Sequence, residues 1–295
     1  MTIRKTLTAV CLHEDINFLL TNRIPRRLTT KLMGWFSKIE IPAVSGPALW
    51  LWRQFADLHL EEAEKSKFFS IHDCFTRALK PGMRPVDPDP AIVVSPCDAI
   101  VGTCGRLQDI WAIQAKDFRY SLYDLLGDPH LVREYRDATY VTLRITSSMY
   151  HRFHAPYDCR VREVRYFSGD TWNVNPIALK RVRNLFCRNE RAMIRAELPG
   201  HFGDLLMVPI AAILVAGIRL QFAEILLHMR YDGPALIPCD TSLRKGEEMG
   251  WFEHGSTILL FAPKDFTLHD GIVSGKVVRT GEALMRLPEC DRHIT

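Results

Sequence analysis

The sequence predicts an α+β fold, in which a helical N-terminal region is followed by a β-rich domain with a sandwich- or barrel-like arrangement of strands. Apolar residues recur at helical spacing before residue 80, and mostly short apolar segments divided by turn residues follow residue 90. Between these two patterns, residues 81–90 contain four prolines and one glycine, which is typical of a boundary. We therefore expect two domains, residues 1–80 and residues 81–295.

The N-terminal region contains two apolar stripes at helical spacing. The first stripe consists of Leu49, Trp52, Phe55 and Ala56. The second stripe consists of Phe68, Ile71, Phe75, Ala78 and Leu79. Because Pro81 and Gly82 cannot continue a helix, they end the second stripe, and we expect a helix up to residue 79.

Strand-like segments dominate the chain after residue 90. They cover residues 91–94, 138–145, 159–167, 205–215, 219–231, 257–262 and 275–279. In residues 138–145 polar and apolar side chains alternate with period two, which predicts a strand buried on one face only. One further helix is predicted over residues 116–126.

Composition excludes several classes of protein. With 47% hydrophobic and 24% charged residues, the chain has an ordinary globular composition. The net charge of +4 is too small to indicate a nucleic-acid-binding protein. The eight cysteines form no CxxC pair, so a zinc ribbon is not expected and we predict no metal site. The longest apolar run, residues 205–218, contains a proline and is too short to span a bilayer.

A basic, amphipathic segment lies near the N-terminus. Residues 23–38 contain five basic side chains and no acidic one, and bulky apolar groups such as Trp35 and Phe36 are interleaved with them. This pattern suits a segment that lies in the headgroup layer of an anionic membrane. It equally suits a surface helix with a solvated basic face. From this segment alone both interpretations remain open.

Three polar clusters in the β-rich region contain candidate catalytic residues. Asp98 follows a strand, His151 and His154 lie together just after another strand, and Gly255-Ser256 begins a third. Histidine exchanges protons near neutral pH, and a serine hydroxyl can attack a neighbouring carbonyl once a base takes its proton. Asp98, His154 and Ser256 could therefore act as orienting acid, base and nucleophile. Each cluster also has a purely structural explanation. Asp98 could form a turn, the two histidines could lie on the surface, and Gly255-Ser256 could be a tight glycine turn before a strand.

The order of the motifs resembles the phosphatidylserine decarboxylase family, whose members are self-processing lyases with a pyruvoyl group. Seven motifs carry the resemblance: residues 75–85, 95–98, 150–156, 173–176, 189–191, 245–250 and 255–257. Each motif is weak alone, but the seven occur in the family's order and cover most of residues 75–262.

The resemblance implies that the chain cuts itself between Gly255 and Ser256. Ser256 would attack the carbonyl of Gly255, and β-elimination would release a β chain, residues 1–255. The α chain, residues 256–295, would then begin with a pyruvoyl group made from Ser256. In this scheme His154 is the base, and Asp98 holds its tautomer and stabilises the imidazolium.

The resemblance also implies the reaction and its partners. The pyruvoyl ketone would form a Schiff base with phosphatidylserine and accept the electrons left by carbon dioxide, giving phosphatidylethanolamine. His151 would position the carboxylate or deliver the final proton. The cleaved α and β chains would form a heterodimer, with further dimerisation left open. Phosphatidylserine and an anionic membrane surface are the expected partners, nucleic acid is not, and the location would be peripheral, on the cytoplasmic face of a membrane.

Other functions are compatible with parts of this pattern. A pyruvoyl-dependent decarboxylase of a soluble amino acid would keep the chemistry and change the substrate. A β-rich binding module without activity would keep only the scaffold. A serine hydrolase would use Ser256 in an undivided chain.

Overall fold

A computed structural model describes residues 13–115, 118–213, 217–253 and 256–289. Three of its eight α-helices in the described residues precede residue 56, and the other five are short. The helices are α1 (Glu14–Asn22), α2 (Arg26–Ser37), α3 (Pro42–Phe55), α4 (Ile71–Phe75), α5 (Leu122–Leu126), α6 (Pro129–Glu134), α7 (Pro176–Leu179) and α8 (Leu185–Arg188), and Leu60–Glu62 forms a 3-10 turn.

The second predicted helical stripe was wrong beyond Phe75. Helix α4 begins at the Ser70 side chain, which accepts a hydrogen bond from the N–H of Asp73, and ends after five residues. Beyond it, Arg77 turns inward and Leu79 forms a β-bridge with Ala63. The apolar side chains of residues 78 and 79 therefore serve an extended segment rather than a helix face.

Within the described residues, the strands form four sheets. A three-stranded sheet contains β1 (Ile92–Val94), β15 (Thr267–Leu268) and β17 (Ala283–Arg286). A four-stranded sheet contains β6 (Arg152–His154), β10 (Gly217–Leu220), β11 (Ile225–His228) and β13 (Glu248–Phe252), and a hairpin contains β3 (Trp111–Ala115) and β4 (Phe118–Ser121). The eight-stranded sheet contains β2 (Ala99–Arg106), β5 (Thr139–Ile145), β7 (Cys159–Phe167), β8 (Arg191–Glu197), β9 (Asp204–Ala211), β12 (Leu236–Leu243), β14 (Ser256–Ala262) and β16 (Val277–Val278).

The central strands of the eight-stranded sheet, β5, β8, β9 and β14, are buried on both faces, whereas β7 and β12 at one edge have exposed residues. Every residue of β14 is buried, and its side chains alternate between two apolar clusters, with Ile258 and Leu260 in one cluster and Leu259 and Phe261 in the other. Strand β5 is likewise buried on both faces, so the prediction of a half-buried strand over residues 138–145 was wrong. The polar side chains that alternate with apolar ones in β5 are therefore buried as well, because other elements cover both faces of the sheet at this strand.

Different elements cover the two faces. Residues of the three- and four-stranded sheets, such as Ile218 and Leu284, belong to the first cluster, which makes this half a sandwich. Residues of α5–α8 and of the β3–β4 hairpin, such as Tyr120 and Phe186, belong to the second cluster. The predicted α+β class, with helices before a β-rich region, is confirmed.

Two boundaries differ from the predictions. Residues 118–121 form strand β4 rather than part of a helix. Tyr120 is a buried residue of this strand, and the short helix α5 begins only at Leu122. Residues 219–231 are a hairpin of β10 and β11 rather than one strand, with a turn at Glu224, whose φ is +54°. The predicted two-domain division at residue 80 stays a prediction.

Candidate active site

Ser256 is the first residue of the central strand β14. It pairs with Ile145 of β5 on one side and with Ala211 of β9 on the other. The side chain is fully buried, and its hydroxyl makes no hydrogen bond to any residue in the described ranges. Gly255, the other half of the predicted cleavage site, lies outside the described residues. Ser256 is thus a fixed, buried hydroxyl at the end of the sheet.

A cavity of about 710 Å³ adjoins this end of the sheet. Its volume lies in the range of small-molecule sites. The wall from the β-rich region consists of Arg144, Ile145, Thr146, Ser147, Asn173, Val174, Asn175, Ala212, Ile213 and Ser256. The wall from the helices consists of Met33, Phe36, Ala48, Leu51, Trp52, Ile71 and Phe75. The helical region therefore completes a mostly apolar chamber around Ser256.

His151 is fully buried and lies one aromatic ring away from the cavity. The centre of its ring is 3.8 Å from the ring centre of Phe75, which lines the cavity. Phe75 in turn stacks on Trp52 at 5.8 Å. The backbone carbonyl of His151 accepts a hydrogen bond from the N–H of Phe252, which ties the histidine to β13.

His154 is held by hydrogen bonds on both ring nitrogens. Nδ1 lies 3.0 Å from the carbonyl oxygen of Gly246, and Nε2 lies 3.0 Å from the hydroxyl of Tyr150. A carbonyl can only accept, so Nδ1 carries the hydrogen, and the Nε2 of the neutral ring accepts from Tyr150. Burial lowers the pKa of His154, which keeps the ring neutral at physiological pH. The geometry therefore selects one tautomer with a basic Nε2.

Asp98 is buried and bound by two residues other than histidine. Arg84 donates to both carboxylate oxygens at 2.6–3.0 Å, and the N–H and hydroxyl of Thr280 donate to Oδ1. The guanidinium of Arg84 also lies 5.9 Å from the ring centre of Tyr150. Asp98 therefore reaches His154 through Arg84 and Tyr150 rather than by a direct hydrogen bond.

The structure brings the predicted site residues together in two groups. Ser256 and His151 are both near the cavity, the latter through Phe75. Asp98 and His154 belong to a neighbouring polar group, and no hydrogen bond joins Ser256 to that group within the described part of the chain. The sequence interpretation assigned roles to the acid, the histidines and the serine only.

Sequence reasoning missed Arg84 and Tyr150, although both lie inside motifs that it used. It also missed Arg77, which is buried and donates hydrogen bonds to the carbonyls of Leu58, Ser148 and Met149. These bonds fix the loop that leads into His151. An arginine in a motif was the available signal, since a buried guanidinium requires several acceptors.

The basic segment forms helix α2, and one side of it is exposed and apolar. Leu28, Leu32 and Trp35, at spacings of four and three residues, are 56%, 57% and 69% exposed. This set is the apolar stripe of α2. The cavity-lining Met33 and Phe36 lie on the same helix. Among the helices whose placement is described, none is long and apolar enough to cross a membrane.

Two of the five basic side chains of this segment are occupied by ion pairs. Arg26 pairs with Asp170 at 2.6 Å, and Lys38 pairs with Glu253 at 2.8 Å. Arg23, Arg27 and Lys31 are exposed beside the apolar stripe of α2. The surface available to an anionic membrane is therefore less basic than the sequence alone indicates.

Comparison with known proteins gives a consistent family. The family model described as phosphatidylserine decarboxylase matches residues 71–286. The phosphatidylserine decarboxylase proenzyme of Dickeya dadantii is 32% identical over 282 residues, 92% of each chain. The proenzyme of Haemophilus influenzae is 31% identical over 88% of this chain and 92% of its own, and that of Vibrio cholerae is 33% identical over 88% and 94%.

Proposed function

The chain belongs to the phosphatidylserine decarboxylase family, and we propose that it is a carboxy-lyase that converts phosphatidylserine to phosphatidylethanolamine. The resemblance found in the motifs is thereby confirmed. The cavity supports a lipid substrate because its walls are mostly apolar and because it continues onto α2 and α3, where Leu51 is both a lining residue and 52% exposed. Acyl chains could leave the cavity at this point.

Ser256 fits the requirements of a residue that becomes a pyruvoyl group. Its hydroxyl is buried without a hydrogen-bond partner in the described residues, and the residue is part of the wall of a cavity large enough for a headgroup. When present, the pyruvoyl ketone would condense with the substrate amine and accept the electron pair left by carbon dioxide. Hydrogen bonds from β5 and β9 hold residue 256 in place on both sides.

His154 acts as the base in self-cleavage in our proposal. The carbonyl of Gly246 holds its tautomer, which is one of the two roles that the sequence interpretation gave to Asp98. We retain the other role for Asp98, because its negative charge raises the pKa of His154 against the larger effect of burial and so favours the imidazolium formed during the reaction.

His151 serves decarboxylation in our proposal. It is enclosed by Phe75 on the cavity side, where water is excluded and a proton can be delivered to carbon without competition from solvent. The aromatic contacts from Trp52 through Phe75 fix the orientation of its ring.

The two cleaved chains would stay together as a heterodimer. Residues 256–295 contribute β14, which lies between β5 and β9, as well as β16 and β17, which pair with β2 and β1. Four strand pairings therefore join the small chain to the large one. We place the enzyme peripherally on the cytoplasmic face of a membrane, with the apolar stripe of α2 in contact with lipid.

The observation that carries this proposal is the buried hydroxyl of Ser256 at the cavity, and mass spectrometry of the denatured protein tests it. We expect two chains, residues 1–255 and 256–295, with the small chain lighter than a seryl peptide by the loss of ammonia. The Ser256→Ala variant should remain one chain and should release no carbon dioxide from phosphatidylserine. An undivided wild-type chain that decarboxylates phosphatidylserine would contradict the proposal.

A further inference from the structure

Arg144 is a charged residue in the wall of the cavity, and none of the roles predicted above involves it. It lies near the end of β5, opposite Ile100 of β2 and Thr257 of β14. Among the residues described, none forms an ion pair or hydrogen bond with its guanidinium. Partial burial lowers its pKa, so the cation is placed at a cost that the protein itself does not offset.

Three other arginines that are buried or half-buried each have several acceptors among the described residues, although Nε of Arg77 makes no hydrogen bond there. Arg77 donates to four backbone carbonyls, Arg84 binds the carboxylates of Asp98 and Glu62, and Arg191 donates to the carbonyls of Asp124, Leu125, Cys187 and Asn189. Arg144 differs from these three arginines, because its guanidinium has no acceptor within the described residues. A guanidinium without acceptors in the wall of an apolar cavity indicates an anionic ligand.

A second polar group beside Arg144 also lacks a partner. Thr257 is directly opposite Arg144 in the antiparallel pair, so the two side chains are neighbours on one face of the sheet. Its hydroxyl is buried, with the residue 1% exposed, and makes no hydrogen bond within the described residues. Two unsatisfied hydrogen-bond donors thus adjoin each other at the end of the sheet that carries Ser256.

We propose that Arg144 binds the phosphodiester of the phospholipid in the cavity. This inference rests on the proposed function. The planar guanidinium can donate two parallel hydrogen bonds to phosphate oxygens. In phosphatidylserine only two carbons and an ester oxygen separate the phosphorus from the reacting amine, so both groups fit one cavity. Arg144 is a binding residue for the headgroup in this role and takes no part in self-cleavage.

The other anion of the substrate, the carboxylate, is the less suitable partner. Decarboxylation removes the negative charge from the carboxylate in the transition state, so a cation bound there would stabilise the ground state and slow the reaction. The phosphodiester keeps its charge throughout and is present in both substrate and product. A cation at this position therefore contributes to binding equally before and after the reaction.

Kinetics in mixed micelles with a neutral detergent test the proposal on the processed enzyme. Arg144→Gln should raise the KM for phosphatidylserine and the inhibition constant of phosphatidylethanolamine together, by about ten- to a hundredfold. Arg144→Lys should give a smaller increase, since it keeps the charge but loses the paired hydrogen bonds. The matched control is Arg136→Gln, an exposed arginine just before the opposite end of β5, which should leave both constants unchanged.

Self-cleavage, followed by mass spectrometry, separates this proposal from the proposed function. If the Arg144→Gln protein is cleaved and both its KM for phosphatidylserine and its inhibition constant for phosphatidylethanolamine are unchanged, the phosphodiester site alone is overturned. A higher KM with an unchanged inhibition constant for phosphatidylethanolamine would assign Arg144 to the carboxylate and also overturn it, as would loss of cleavage in both Arg144 variants. A wild-type chain that is neither cut nor active would instead refute the proposed function.

Discussion

Glu190 should make the stability of this protein fall as the pH rises from about 4.5 to about 7. The residue is fully buried, and desolvation raises the pKa of its carboxyl from 4.5 to about 7. The hydroxyl of Tyr166 lies 2.8 Å from Oε1 of Glu190 and 3.0 Å from the carbonyl oxygen of His228. Tyr166 has one hydrogen, so both contacts are satisfied when Glu190 is protonated and donates to Tyr166.

The sign and size of the effect follow from proton linkage. The unfolded chain releases the proton of Glu190 near pH 4.5, whereas the folded chain keeps it until about pH 7. Between these values the folded state binds more protons, so the free energy of unfolding decreases as the pH rises, and it levels off above the folded pKa. A shift of this size corresponds to about 3 kcal/mol in the free energy of unfolding.

Urea unfolding across this pH range measures the effect, with all variants built on Ser256→Ala so that the chain stays whole. Glu190→Gln keeps the shape, can donate to Tyr166 and cannot titrate. The free energy of unfolding of Glu190→Gln should therefore rise by about 3 kcal/mol relative to that of the parent as the pH goes from acidic to slightly alkaline. Glu289→Gln, at an exposed glutamate, is the matched control and should run parallel to the parent. Parallel curves for Glu190→Gln as well would refute the reasoning.

Three further predictions concern the site and the membrane surface. His151→Ala should give a cut chain, seen by mass spectrometry, that no longer releases carbon dioxide, and an uncut product would move His151 to self-cleavage. Arg84→Met should lower the free energy of unfolding by about 3–5 kcal/mol because it leaves the buried Asp98 without its ion pair, and the added change Asp98→Leu should recover most of that loss in urea titrations. Leu32→Glu should weaken binding to phosphatidylserine-containing vesicles about tenfold or more in sedimentation assays, whereas Leu236→Glu, at an exposed leucine on β12, should not, and equal losses would argue against the apolar stripe of α2 as the contact.

The parts of the fold that the sequence predicts well are those with an unambiguous local pattern. Strand β14 is a continuous apolar run, and the predicted residues 257–262 differ from it by one residue. Strand β7 was predicted with its observed bounds. Strands β2 and β12 were not predicted, because β2 contains two glycines and β12 contains Pro238. Such segments become strands through pairing with neighbouring strands, as β12 does with β7, and not through their own residue pattern.

The candidate site shows the same limit. The motifs identify Asp98, His151, His154 and Ser256 because unusual residue types stand close together in the chain. The sequence could not place Arg144 in the cavity, since alternation alone makes it a solvent-facing residue of a half-buried strand. Nor could it show that Gly246 holds the tautomer of His154, because that contact depends on how β6 meets the loop before β13.

The cavity lies between helix α2, the proposed membrane contact, and Ser256, the proposed source of the pyruvoyl group. Helices α2 and α3 contribute Phe36 and Trp52 to the cavity wall, while an adjacent side of α2, about 100° away around the helix axis, exposes Leu32 and Trp35. The apolar stripe of α2 is thus separated from the cavity by no more than the width of one helix, roughly 10–12 Å. Because β5 and β9 hold residue 256 from both sides, cleavage before it would leave the new chain end in the cavity. A phospholipid could therefore present its headgroup to that chain end while its acyl chains stay close to the bilayer.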